Sequence, residues 1–314
     1  MAAYLVRRLL WALLILFMLS IFAFVMVRLI PGDPVVLLLG LEASEESLVA
    51  ARESLGLDRP LVLAYGDWLA GIARGDLGVS IFQRKAVWQL LWAKIPVTFT
   101  LATAGLLLAL LIGIPAGIAA ALKYDSWFDT TVMFGSTLGL SMPSFWLGLV
   151  LIFTFSVRFR WFPSGGYVSL TEDFVEGVRR LCLPAFSIGI IQAALIARMT
   201  RSSMLEILWK DYIRTARAKG LQERIVLLKH ALRNALIPIV TTVGMVYGVL
   251  LGGAIIIETV FTIPGTGRLL ITAVCTRDYP IIQGVILLFG LTYAVMNLLV
   301  DVLYVSINPT ITYS

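Results

Sequence analysis

An all-α polytopic membrane protein with six spans is the fold class this sequence predicts, on three observations. Of the 314 residues, 59% are apolar and only 14% are charged, and the mean hydropathy is +0.92. That is too apolar for a chain facing water on every side. Six runs of 17 or more residues carry no Asp, Glu, Lys or Arg: 9–27, 95–122, 130–157, 181–197, 234–257 and 279–300. The next longest run, the C-terminal tail, has 13 residues, so no segment is ambiguous. A stretch of about 20 apolar residues crosses a hydrocarbon core of roughly 30 Å as a helix.

Residues 1–29 form the first span. Arg7 and Arg8 precede 19 uncharged residues, more than a secretory h-region holds, and Arg28-Leu29-Ile30-Pro31 follows in place of a small-x-small cleavage site. An uncleaved signal anchor is expected. Residues 30–94 form a long outer loop. Within it "SEESLVAARESLGL" opens on a serine cap, and "PLVLAYGDWLAGIARGDLG" reads as an amphipathic helix. From Arg28 to Lys94 seven basic residues face eight acidic ones, a balance that marks no nucleic-acid surface.

Residues 95–314 supply the remaining five spans. In "SMPSFWLG" the third span places Met142, Pro143 and Phe145 around a proline within a helix. The backbone groups it frees must face protein or a water-filled path, so a packing kink and a pathway lining are both open. Glu258 ends the fifth span, and the turn through Pro264 and Gly265 is expected at the outer mouth. Asp301 ends the sixth span, at an interface where pairing with a loop arginine is expected.

Orientation follows from the short loops. The side holding the N-terminus has 12 Lys and Arg against 13 on the other, but seven of those 13 belong to the long connection from 28 to 94. Long loops fall outside the positive-inside rule, and without this one the ratio is 12 to six. Both termini are expected in the cytoplasm.

The loop between spans four and five concentrates the charge. From Arg198 to Arg233 nine Lys or Arg face three acids, a surplus equal to the net charge of +6 for the whole chain. Topology alone could account for such a loop, through attraction to anionic lipid. Its core, "KDYIRTARAKG", reads as a short helix near 211–219, capped by Asp211 and ended by Gly220 in the left-handed region. Tyr212, Thr215, Ala216 and Lys219 are expected on one side at helical spacing. A lipid-surface helix would bury Trp, Phe or Leu, whereas here the small residues are Ala216 and Ala218. A slim face suited to a groove on another protein is predicted.

Other chemistry is missing. No G-x-x-x-x-G-K-[ST] stretch occurs, so nothing in the chain cradles a triphosphate. One histidine, His230, and two cysteines without CxxC spacing give no metal cluster, and no cofactor is expected. Cys182 and Cys275 fall near the outer face, where a disulfide is permitted, although small buried thiols are commoner.

The loop resembles the cytoplasmic coupling loop (205–235) of ABC-importer permeases, in the form used by the dipeptide, oligopeptide and nickel branch. "RLIPGDP" (28–34), "LGLDRPLVLAYGDWLAGIARGDLGVSI" (55–81), "HALRNALIP", "IIETVFTIPGTGRLL", "RDYPIIQG" and "NLLVDVLYVSINP" extend the resemblance over the chain in order. The broader permease motif begins Glu-Ala-Ala, where this chain has Arg214-Thr215-Ala216, with Gly220 at the same spacing and Pro238 a further 18 residues on. That departure is shared by the peptide and nickel branch.

The resemblance implies the type I ABC importer permease fold and a bacterial inner-membrane location. It implies no enzymatic activity in this chain. It implies a second homologous permease, two cytoplasmic ATPases, an external substrate-binding protein and membrane lipid as partners, with no nucleic acid. Tyr212, Arg214, Thr215, Ala216, Arg217, Ala218, Lys219 and Gly220 would engage an ATPase. Met142, Pro143, Phe145, Pro264 and Gly265 would border the path. The outer loop would serve as a platform for the binding protein or as a lid. Peptides, including glutathione-like ones, are the expected cargo, with nickel chelates, opines and oligosaccharides as alternatives. A stand-alone channel or secondary transporter is the alternative; inverted repeats with broken helices, or buried charge pairs in mid-span, would support it, and the charge-free runs, unbroken at their centres, show neither.

Overall fold

The computed structural model describes residues 2–40 and 42–307, so the final "NP" of the C-terminal motif lies outside the described residues. Helices form most of the described chain. Among the described residues the only β feature is one isolated bridge, Val79 to Ala86. Five helices are long and apolar enough to cross a membrane, or six if one sharply bent pair counts as a single span. The chain divides into two compact units: Met1–Val97 with Pro264–Ala294, and Thr98–Ile263 with Val295–Ser314.

The first unit holds α1 (Ala2–Leu29), α2 (Pro34–Leu39), α3 (Glu45–Ser54), α4 (Leu61–Ala73) and the start of α5 (Val87–Leu122). Asp33 caps α2 by accepting from Val35 N at 2.8 Å, and Ser44 caps α3 by accepting from Ser47 N at 3.3 Å. Helix α4 packs on α1, where Phe24 meets Tyr65 edge to face and Ser20 shares a 2.8 Å hydrogen bond with the Tyr65 hydroxyl. Later in the chain this unit contains α12 (Thr266–Thr276) and the first half of α13 (Tyr279–Ile307). Beyond the turn at Pro264 and Gly265, residues Thr266–Thr276 form an eleven-residue apolar helix, too short to span. Between α12 and α13 the buried Asp278 carboxylate accepts from Ser80 Oγ at 2.5 Å and from the amides of Ile81 and Phe82. Three donors on one carboxylate pin the loop before α5.

The second unit is built from the rest of α5 with α6 (Trp127–Ser141), α7 (Ser144–Leu151), α8 (Phe174–Leu208), α9 (Asp211–Ala218), α10 (Glu223–Ile225), α11 (Arg233–Val260) and the second half of α13. Helix α7 runs on as a π-helical segment to Arg158, and a second π-helical segment, Val226–Leu232, leads into α11. Helices α6, α7 and α11 pack on α8, and small residues let α5 approach it closely. A Cβ at Gly113 would lie 2.7 Å from the Ala193 carbonyl oxygen, and one at Gly117 would lie 2.5 Å from that of Ala197. Small residues four apart are how membrane helices gain van der Waals contact where lipid offers no hydrophobic drive.

The third predicted span is not one helix. Helices α6 and α7 meet at 99°, with Met142 and Pro143 between them in extended conformation (ψ 130° and 134°). A residue before proline is pushed out of the helical region, so Met142 stops α6 and Pro143 starts α7 instead of kinking one continuous helix. Glu258, at the end of the fifth predicted span, is fully buried and accepts from Thr98 Oγ1 at 2.5 Å. Cys182 and Cys275 are free, exposed thiols, so neither the disulfide nor the buried-thiol expectation is met.

Candidate functional site

Helix α9 stands where the cationic loop places it, but its register differs from the sequence reading. Its N-cap is Lys210, which makes no side-chain capping bond, so Asp211 is the first helical residue and not the cap. At the other end Gly220 adopts φ +76°, donating to the Arg217 carbonyl at 2.9 Å while Leu221 N reaches that of Ala216 at 3.4 Å. This is a Schellman ending, which glycine adopts at no steric cost.

Ile213 and Ala216 are buried within the chain itself. They pack with Ala121, Met204, Val226, Ala231, Ala235 and Ile239, so the short helix is seated on residues of α5, α8, the second π segment and α11. Ala216 therefore does not belong to an outward slim face. The reason is periodic: Ile213 lies three residues before Ala216 and supplies the apolar anchor that the paired alanines disguise. The outward ridge carries Asp211, Arg214, Thr215 and Ala218, all exposed, with Lys219 and Gly220 exposed beside it.

Local pairs set the flanks. Arg217 forms a two-pronged pair with Glu223, Nη2 to Oε1 at 2.7 Å and Nε to Oε2 at 3.1 Å. That hydrogen bonding holds the Glu223 carboxyl below the usual carboxylate range and the Arg217 guanidinium above its own. The pair ties the end of α9 to α10. The Tyr212 hydroxyl accepts from Asn234 Nδ2 at 3.1 Å, and the same amide donates to the His230 carbonyl at 2.8 Å. His230 thus contributes backbone to a structural contact on the π segment. Arg214 lies 3.9 Å from Asp211, both largely in solvent, and Lys219 is exposed beside the ridge. Three cations on or beside α9 therefore differ: Arg217 is internally satisfied, while Arg214 and Lys219 remain offered outward.

Further along α8 stands a contact the sequence did not indicate. Arg201 holds the buried Asp129 of α6 through Nε to Oδ1 at 2.5 Å and Nη2 to Oδ2 at 2.6 Å. Asp129 also accepts from the Asp125 amide at 3.1 Å. A cavity of about 400 Å³ opens beside the pair, lined also by Tyr124, Thr130 and Thr137. The clamp joins α8, two turns before its end, to the helix that leads into the break at Met142-Pro143.

The predicted path residues fall in both units. Met142, Pro143 and Phe145 are exposed on the second unit at the break, beside Trp146. Pro264 and Gly265 belong to the first unit, where Gly265 precedes α12 as its N-cap. Among the described residues no group of three or more His, Cys, Asp or Glu is placed to hold a metal ion.

A helical membrane protein with a short cation-bearing helix seated on its bundle fits the class of transport-system permeases; the bend at Met142-Pro143 and the Asp129–Arg201 pair, which a stand-alone transporter could also carry, do not decide it. Comparison of the sequence with known families makes that specific. Residues 113–313 match the family of the binding-protein-dependent transport system inner membrane component, and residues 1–102 match the corresponding N-terminal family. The chain belongs to this family and is an ABC importer permease subunit, a multi-pass protein of the inner membrane.

Relatives match over the full length. The dipeptide transport system permease protein DppB of Alkalihalophilus pseudofirmus is 41% identical over 333 residues, covering 100% of both chains. The di/tripeptide transport system permease protein DppB of Pseudomonas aeruginosa is 43% identical, covering 100% of this chain and 99% of its own. The glutathione transport system permease protein GsiC of Escherichia coli is 42% identical over all of both chains. Among solved structures, an inward-facing form of the MetNI methionine ABC transporter matches 70% of this chain and 97% of its own, with a TM-score of 0.58 and 19% identity. That likeness is one of fold, the type I importer permease fold.

Proposed function

We propose that the chain forms half of the membrane path of an ATP-driven importer of short peptides, with α9 as the element that receives the ATPase. The peptide assignment rests on full-length relatives named for dipeptide, di/tripeptide and glutathione transport. In this reading both termini and α9 face the cytoplasm. A second, similar permease completes the path, two ATPases act from inside, and a binding protein delivers cargo from outside. Hydrolysis takes place on the ATPases, since this chain has no phosphate-cradling loop.

One observation carries the docking role: α9 is fixed to the chain by Ile213 and Ala216 and presents a low ridge of Arg214, Thr215 and Ala218 outward. A helix seated on its own bundle passes a push from outside into α5, α8 and α11, which a loosely tethered one would absorb. Arg214 and Lys219 supply charge toward acidic partners, and Ala218 allows close approach. The break at Met142-Pro143 and the turn at Pro264-Gly265 border the path in this proposal.

The two alanines provide the test. Ala218→Trp adds bulk to the outward ridge and should leave the chain folded while ATPase co-purification and ATP-dependent dipeptide uptake are lost. Ala216→Trp forces a ring into the chain's own core, where overpacking costs about 1–3 kcal/mol, and should lower yield and melting temperature instead. A folded Ala218→Trp variant that assembles and transports like the parent would remove α9 as the docking element. Failure of the intact assembly to take up dipeptides, with glutathione, nickel chelates, opines and short oligosaccharides assayed in parallel, would overturn the cargo assignment alone.

A further inference from the structure

The motif Arg28-Leu29-Ile30-Pro31-Gly32-Asp33-Pro34 plays no part in the transport reading, and within the first unit its residues divide by role. Asp33 is engaged twice, capping α2 and holding Arg52 with Nη2 at 2.5 Å and Nε at 2.7 Å. Pro31 offers its carbonyl to Arg277 Nε at 2.8 Å, and the Arg277 guanidinium lies over Gly32, whose φ of +99° and missing side chain make room for it. Arg28 is the residue left over. Among the described residues it makes no ion pair, and its guanidinium carbon sits 3.7 Å above the centre of the Phe24 ring.

Two cavities meet at Arg28 and Leu61. One, of about 490 Å³, is an apolar groove between α1 and α4, running past Ile21, Phe24, Val25 and Val62. The other, of about 340 Å³, is polar and lies on the loop side, lined by Asp33, Arg52, Asp58 and Tyr279 as well as Arg28. Because Arg52 and Asp33 neutralise each other, the lining groups of this cavity that keep their charge are Arg28 and Asp58, with Arg277 at its edge held over Gly32 by the Pro31 carbonyl. Asp58 likewise makes no ion pair among the described residues.

An apolar groove ending in one cation and one anion has the pattern of a zwitterionic amphiphile. We propose that this site holds one phosphatidylethanolamine molecule, with an acyl chain between α1 and α4, its phosphate on Arg28 and its ammonium on Asp58. Arg28 is suited to the phosphate because a guanidinium stacked on a ring presents its N–H groups in a fixed plane. Asp58 sets the choice of headgroup: it accepts from an ammonium and repels a lipid carrying net negative charge. A free phosphate would leave the groove unused, and an apolar partner helix would leave both charges without counterparts. The site lies at the end of a membrane span, the depth at which lipid headgroups meet a protein.

The test uses the assembled importer, delipidated in detergent and titrated with defined lipids under native mass spectrometry. The parent should retain one phosphatidylethanolamine per copy of this chain, more tightly than phosphatidylglycerol. Arg28→Gln should weaken retention of both lipids by about ten- to hundredfold, the loss expected for a hydrogen bond to a charged group. Asp58→Asn should reduce the preference for phosphatidylethanolamine while sparing phosphatidylglycerol. Val62→Trp, on a residue 82% exposed, should fill the groove and expel lipid with Arg28 still in place. Glycerophosphoethanolamine, the headgroup without chains, should not compete. Equal retention by parent and Arg28→Gln overturns the proposal, and so do equal affinity for the two lipids, unchanged binding in Val62→Trp or competition by the chainless headgroup. The exposed Arg84→Gln serves as the control and should change nothing.

Discussion

Arg201 meets Asp129 with two parallel N–H···O bonds across a sequence separation of 72 residues, and the carboxylate side chain is only 5% exposed. The energetics of such a pair are asymmetric. Forming it costs the desolvation of two charges, whereas removing one partner strands the other; that costs about 3–5 kcal/mol for a fully buried pair and less here, where the pair borders an open cavity. Arg201→Met leaves Asp129 with only the Asp125 amide and should melt well below the parent. The double variant Asp129→Leu with Arg201→Met removes both charges and should recover most of that loss. Thermal unfolding of the two variants in the same detergent checks the order. A single variant as stable as the double one would mean that the pair is solvated and that its short geometry carries no energy. At this scale the sequence is nearly silent, since no periodicity links residue 129 to 201, or Ser80 to Asp278. Each is an ordinary polar residue until the chain is folded.

The elements were far more legible than the contacts, because hydropathy reports which stretches cannot face water. Five long apolar helices lie where charge-free runs stand. What hydropathy misses is direction. The run 130–157 is as free of charge as the others, yet it bends by 99° at Met142-Pro143. The signal there was steric, a residue held extended before proline, and it is independent of apolarity. Helix α12 was missed for the opposite reason, being apolar but too short to register as a span. Ile213 is hard to read from sequence because charge and alanine dominate the loop, although its spacing to Ala216 is that of one helix face and both are buried. Close packing of α5 on α8 gives the prediction at this scale. Gly117→Leu would press a side chain toward the Ala197 carbonyl and Thr200 Cβ, backbone and β-branched atoms that cannot swing away. A loss of about 1–3 kcal/mol is expected. Gly135→Leu, where nothing lies within 4 Å, should be neutral in the same melting assay, and equal effects at the two positions would refute the close approach.

Membrane orientation decides which partners each face of the protein can meet. Family membership establishes a multi-pass inner-membrane protein, and the short-loop ratio of 12 to six predicts α9 inside and the 30–94 segment outside. The sites for testing this must be chosen by exposure, since Ser80 of the 30–94 segment and Ser203, on α8 ahead of α9, are buried and would resist any reagent. Ala218 and Glu53 are exposed, one on the ridge of α9 and the other on α3. Cys182 and Cys275 are exposed as well, so both must first be replaced by serine to silence the background. In that background a membrane-impermeant maleimide applied to intact cells should label Glu53→Cys and spare Ala218→Cys. Permeabilisation should make Ala218→Cys reactive. The reverse pattern would place the cationic helix outside, away from any cytoplasmic ATPase, and would end the coupling role however well α9 is seated. Labelling of both sites in intact cells would mean that the 30–94 segment and α9 share a side, which an odd number of crossings between them forbids. Helix α1 lies before both sites, so the outcome depends on α5, the bent pair α6–α7 and α8. If the bent pair is one span, three crossings separate the sites and they lie on opposite sides. If the pair is re-entrant, two crossings separate them and the sites lie on one side. The same experiment therefore decides whether the break at Met142-Pro143 interrupts a true span.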